Sequence, residues 1–71
     1  MIEAYKTNRA LRETYLRMNA VTHAEIWDSE NGYIVYMCSA NGVGFPESPE
    51  FSTVGKCHEW VNKYCPELSI K

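Results

Sequence analysis

The sequence predicts an α+β domain: an N-terminal helix, an antiparallel β-hairpin and a C-terminal amphipathic helix packed on the sheet. Three observations predict it. Residues 2–18 hold no Gly or Pro and many good helix formers. Two runs rich in β-branched and aromatic residues flank Asn31-Gly32, a dipeptide suited to a tight hairpin turn. After them Val54, Cys57, Val61, Tyr64 and Cys65 recur at helical spacing.

Seventy-one residues make one domain, 1–71. A core of this size rarely supplies more than about 3–5 kcal/mol of net stability, so small folds lean on disulfides, metals or aromatic packing. Two Trp, five Tyr and two Phe, each burying ~150–250 Å², fill that role here. They exceed what one thin core needs, which leaves rings for an interface. Cys38, Cys57 and Cys65 are odd in number and lack CxxC spacing, which points away from a disulfide scaffold and towards reduced, buried thiols. No charged and apolar leader opens the chain, and its longest apolar run, 33–38, is far short of the ~20 residues of a spanning helix. The expected setting is therefore intracellular and cytoplasmic, with no membrane partner.

The first helix carries Lys6, Arg9, Arg12 and Arg17 in a basic segment over 1–20. Its apolar stripe runs through Tyr5, Asn8, Leu11, Tyr15 and Met18, polar only at Asn8. Thr7, Asn8 and Thr14 weaken it, and no strong cap precedes it. Glu13 and Arg17 form an i, i+4 pair in the favourable order.

The hairpin spans 22–40. Asn31-Gly32 is expected at the centre of a type I′ turn, where both residues take positive φ. Alternation places Ala24, Ile26, Val35 and Met37 on one face. Trp27, Ile34, Tyr36 and Cys38 share the other with His23 and Glu25. Both faces are apolar, and such a strand is usually covered on both. Two coverings are open: helix 1 lays Leu11, Tyr15 and Met18 over the second face, or another chain does.

Residues 41–51 are a loop punctuated by Gly and Pro, with a short third strand available through Val43 and Phe45 or through 50–52. Its Gly-Val-Gly lacks the pattern and setting of a phosphate loop. The second helix, 53–65, is capped by Ser52 or Thr53 and stopped by Pro66. Gly55 costs on the order of 1 kcal/mol relative to Ala, and is expected where the helix start approaches the sheet closely. The tail can add a short strand through Leu68 and Ile70.

No catalytic residue, cofactor or metal set emerges, and the expectation is a non-enzyme. A zinc set would draw on His23, Cys38, Cys57, His58 and Cys65. These lack paired knuckles, and Cys57 and Cys65 fall on the buried stripe of their helix. Cys57 lies near a helix N-terminus, which favours a thiolate, yet it faces the core. Glu25, Asp28 and Glu30 read as a solvated rim that protects a sheet edge. A net charge of −2 is too small for mimicry of DNA.

Charge is divided unevenly. Residues 1–21 carry four Lys or Arg against two Glu, and 22–71 carry three Lys against seven Asp or Glu. Lys6, Arg9, Arg12 and Arg17 therefore give a nucleic-acid reading its candidate contacts. The hairpin followed by Phe51-x-Thr53 and a helix containing Trp60 resembles the ββα ending of small phage and mobile-element domains, among them the arm-type DNA-binding domain of integrases. The resemblance spans about the last fifty residues. Gly55-Lys56-Cys57 replaces the family's usual Glu-Ala, and the basic strands that would contact DNA are missing, so that family's function is not carried over.

The favoured reading is a non-catalytic accessory or regulatory protein, of the kind a phage or mobile element uses to inhibit or modulate a host protein. It would bind another protein, or a second copy of itself, through Trp27, Ile34 and Tyr36, a strip of the residue types found at interface cores. The alternative is a small nucleic-acid-binding protein using the basic helix.

Overall fold

A computed structural model describes residues 8–71. It contains helix α1 (Arg9–Met18), strands β1 (His23–Ser29), β2 (Gly32–Cys38) and β3 (Gly44–Pro46), and helix α2 (Val54–Tyr64). The sheet is antiparallel in the order β1-β2-β3. The α+β expectation holds, with the third strand present.

Helix α1 starts later than its composition suggests. Asn8 is extended, and its side chain accepts a hydrogen bond from Leu11 N at 3.1 Å. The residue expected to weaken the helix interior instead caps its start. The predicted segment 2–7 lies outside the described residues. At the other end Ala20 takes a positive φ of 56°. Val21 N donates to Leu16 O and Ala20 N to Arg17 O, the bonding of a Schellman stop, where glycine is the usual residue. Ala20→Gly should raise stability by about 0.5–1 kcal/mol by removing that strain, read as a higher melting temperature.

The hairpin turn differs from expectation. Ser29 pairs with Gly32, so Glu30 and Asn31 are its central residues, and neither has positive φ. It is not a type I′ turn on Asn31-Gly32. Glycine is needed at 32 for another reason: a Cβ there would lie 2.1 Å from Phe51 O. Phe51 pairs with Tyr33 through two backbone hydrogen bonds of 2.7 and 2.8 Å, and only a bare Cα lets the segment in. Glu50 Oε2 then accepts from Asn31 N at 2.8 Å, which ties the turn to the same segment. The register slides by two residues relative to a turn centred on Asn31-Gly32. An even slip keeps each side chain on its face but changes its cross-strand neighbours.

Strand β2 is the centre of the sheet. Phe45 pairs with Met37 on one side, while β1 runs along the other. The tail docks on the outer edge of β1, where Ala24 N donates to Ser69 O and Lys71 N to Ala24 O, both at 2.9 Å. Helix α2 is capped by Thr53, whose hydroxyl accepts from Lys56 N at 3.2 Å. A Cβ on Gly55 would meet only Thr53 Oγ1, at 3.9 Å. No close approach to the sheet explains this glycine, contrary to expectation.

Both helices pack on the same face of the sheet. Ala24, Val35 and Met37 form one buried cluster with Leu16 of α1, with Cys57, Trp60 and Val61 of α2, and with Cys65, while Ile26 packs against it. Helix α1 turns inward along Arg12 and Leu16, with Tyr15 beside them. The expected stripe is therefore offset: Leu11 and Met18 stand exposed. A charge can occupy an inward position because it is met there. Arg12 donates from Nε and Nη2 to the two oxygens of Glu67 at 2.9 and 2.6 Å. Tyr15 docks beside it, its hydroxyl 3.1 Å from Glu47 Oε1. Burial, and then the Glu47 charge, push that phenol up to about 12.

The forked ion pair has a pH signature. Hydrogen bonding from Arg12 holds the Glu67 carboxyl below its ordinary range. A carboxyl whose pKa is depressed by folding adds stability above its unfolded value, near 4.3, and loses it as pH falls through the lower folded value. Glu67→Gln should thus cost about 1–3 kcal/mol at pH 7. Urea unfolding at a series of pH values should show the deficit shrinking once the wild-type carboxyl is protonated.

Candidate functional site

Alternation along β1 and β2 brings His23, Glu25, Trp27, Ile34, Tyr36 and Cys38 to the face opposite the helices. None of the four apolar members belongs to the helix-facing cluster. Neither α1 nor α2 reaches across to cover Trp27, Ile34 and Tyr36. Trp27 is 37% exposed, and Ile34 and Tyr36 are half-buried.

These side chains hold one another in place. Trp27 and Tyr36 are diagonal neighbours in the register, since Trp27 faces Ile34 and Tyr36 faces Glu25. Their rings stack at 4.0 Å between centroids and 13° between planes. Trp27 Nε1 donates to Glu25 Oε1 at 2.7 Å, which fixes the indole along the strand. Glu25 Oε2 lies 2.8 Å from His23 Nε2, and His23 Nδ1 lies 2.8 Å from Thr22 Oγ1. The hydrogen bonds from His23 and then Trp27 hold the Glu25 carboxyl below its ordinary range. One polar chain therefore runs from the Trp27 ring edge to Thr22.

Cys38 lies opposite His23 and is fully buried. Gly44 of β3 lies against it: a Cβ at 44 would sit 2.7 Å from Cys38 Sγ and 3.6 Å from a Tyr36 ring carbon. Burial, and then the Glu25 charge, push the Cys38 thiol up. Among the described residues His23, Glu25 and Cys38 bring one ligand-type atom each within 4.8 Å of one another. Of the residues the sequence offers as a zinc set, His23 and Cys38 lie together. Cys57 and Cys65 lie in the helix-facing core and His58 is exposed. Glu25 joins His23 and Cys38 through the hairpin register.

The basic residues have a different environment. Arg12 is occupied by Glu67, and Arg9 Nε lies 3.0 Å from Glu13 and 3.5 Å from Glu67. Arg17 is exposed and lines a hollow of about 570 Å³ with Val21, Thr22, Ser39 and Asn41. Lys6 lies outside the described residues. No helix among the described residues is long and apolar enough to cross a membrane.

Fold and site together define a small α+β domain with a two-faced sheet. Comparison with protein-family models, with curated proteins and with solved structures returned no match.

Proposed function

We propose that this protein is a non-catalytic binding module that engages another protein through Trp27, Ile34 and Tyr36. The observation that carries the reading is the position of both helices on the opposite face, which leaves a stacked Trp–Tyr pair outward on a rigid sheet. Trp and Tyr are enriched among residues that dominate binding energy. Rings already held by stacking and by the Glu25 hydrogen bond lose little freedom on association. Neither β1 nor β2 carries a Lys or Arg, while Glu25 and Asp28 lie on β1. That composition favours a partner with an apolar groove and a basic rim.

Affinity capture from the native host, with wild type beside Trp27→Ala and Tyr36→Ala, tests the reading. The expected result is a discrete partner, or a dimer by light scattering, retained by wild type and lost from both folded variants. Capture that is unchanged in both variants would sink it.

A nucleic-acid function is the weaker reading. Arg12 is buried in its forked pair with Glu67, so of the described basic residues of α1 only Arg9 and Arg17 stand exposed, a thin footprint for a phosphate backbone. A salt-dependent mobility shift removed by Arg9→Glu would revive it.

A further inference from the structure

We propose that His23, Glu25 and Cys38 bind a single zinc-class divalent cation through Nε2, Oε2 and Sγ, with water as the fourth ligand. The donor set is the first reason. A thiolate, an imidazole and a carboxylate are the three side-chain ligands of protein zinc, and three such ligands plus water make an open site. Carboxylate clusters alone are common on surfaces; here a buried thiol and a buried imidazole meet the carboxylate.

The second reason is that the groups behind the donors are already in place. Ligating imidazoles almost always give their other N–H to an oxygen, which fixes the tautomer. Thr22 Oγ1 stands 2.8 Å from His23 Nδ1 and 3.4 Å from the Cys38 carbonyl. Nδ1–H can donate to Thr22, whose hydroxyl donates onward, and that tautomer leaves the Nε2 lone pair for the ion. Glu25 is held likewise, with Oε1 taken by Trp27 and Oε2 turned to His23. Both ligands thus have an outer partner on the side away from the shared space.

The three donor atoms lie within 4.8 Å of one another, so binding must draw the cluster to coordination distance. Tetrahedral zinc with ordinary bond lengths sets its donors about 3.3–3.6 Å apart. Nε2 and Oε2 now stand 2.8 Å apart in their own hydrogen bond, so the ion opens that contact and replaces it. Binding sends the Cys38 thiol proton to solvent. The proton that Nε2 now donates to Glu25 is exchanged through solvent for one on Nδ1, where it is donated to Thr22. Glu25, about a third exposed, gives the ion its way in.

The site is independent of the protein-binding reading. Partner capture can survive chelation of all metal, and metal can bind with no partner present, so each idea fails separately. The test uses the reduced, metal-stripped full chain titrated with Co²⁺ and then Zn²⁺. One equivalent of Co²⁺ should give tetrahedral absorption with a thiolate-to-metal charge-transfer band, which Zn²⁺ then bleaches. Cys38→Ser should remove that band, Cys57→Ser and Cys65→Ser should keep it, and Thr22→Val should weaken affinity about 10–100-fold. If a variant does not fold, amide shift changes in wild type decide alone: on Zn²⁺ addition they should centre on 22–25, 36–38 and 44. Absence of the band at stoichiometric Co²⁺, its persistence in Cys38→Ser, or shifts centred elsewhere would overturn the proposal.

Discussion

Trp60→Ala should leave the chain largely unfolded in water at 25 °C. Trp60 is 7% exposed and joins α2 to the sheet within the core cluster, in company with Cys57 and Val61. Its ring also meets Tyr64 at 5.4 Å in a tilted contact. Truncating a buried Trp typically costs about 3–5 kcal/mol, because transfer energy is lost and a cavity remains. A domain of this size holds about 3–5 kcal/mol in total. The two magnitudes are equal, so the variant should show no cooperative urea transition by circular dichroism. A variant that keeps a sharp transition close to that of wild type would mean that α2 is not the main lid of the core.

Gly32→Ala should be nearly as severe, although it adds one methyl to a residue at the end of a strand. The new Cβ would lie 2.1 Å from Phe51 O and 3.0 Å from Phe51 C. Both are backbone atoms, so no side-chain rotation relieves the clash. The Tyr33–Phe51 bridge must open, with its two hydrogen bonds, and Phe51 must leave the edge of the core. Overpacking together with the lost bonds amounts to about 2–5 kcal/mol. Gly55→Ala is the matched control. Space is open there, and removing a helical glycine should stabilise by up to about 1 kcal/mol. Opposite signs in the two melting temperatures would establish that close approach, and not flexibility, requires the glycine at 32.

The two glycines also show where the sequence is legible. Helices α1 and α2, the hairpin and the assignment of side chains to its two faces follow from periodicity, which is a local property. The turn centre does not. Asn31-Gly32 carries a strong local signal for positive φ, but the glycine is fixed by Phe51, nineteen residues away. The same limit hid the inward face of α1. An arginine reads as polar until Glu67, fifty-five residues on, appears beside it, and periodicity therefore runs the apolar stripe through Leu11 and Met18. Tertiary partners decided both.

The candidate surface was legible in part. Alternation alone placed Trp27, Ile34 and Tyr36 together, while the side on which α1 lies was beyond it. The His23–Glu25–Cys38 grouping needed the register, since a slip of two residues would set Cys38 opposite Glu25 in place of His23. Nothing in the spacing of two residues on one strand and one on the next marks such a cluster as a metal motif.

Unfolding free energies of Trp27→Ala and Trp60→Ala, measured in urea under one set of conditions, test most directly whether the Trp27 face is surface or core. The outward placement of Trp27, with its partial exposure and one stacked neighbour, predicts a smaller loss than at Trp60, of which the ring pair itself supplies about 0.5–1.5 kcal/mol, and a retained cooperative transition, beside collapse of the Trp60 variant. Equal loss of folding in both would contradict it, showing that Trp27 is core and that the face is not available to a partner.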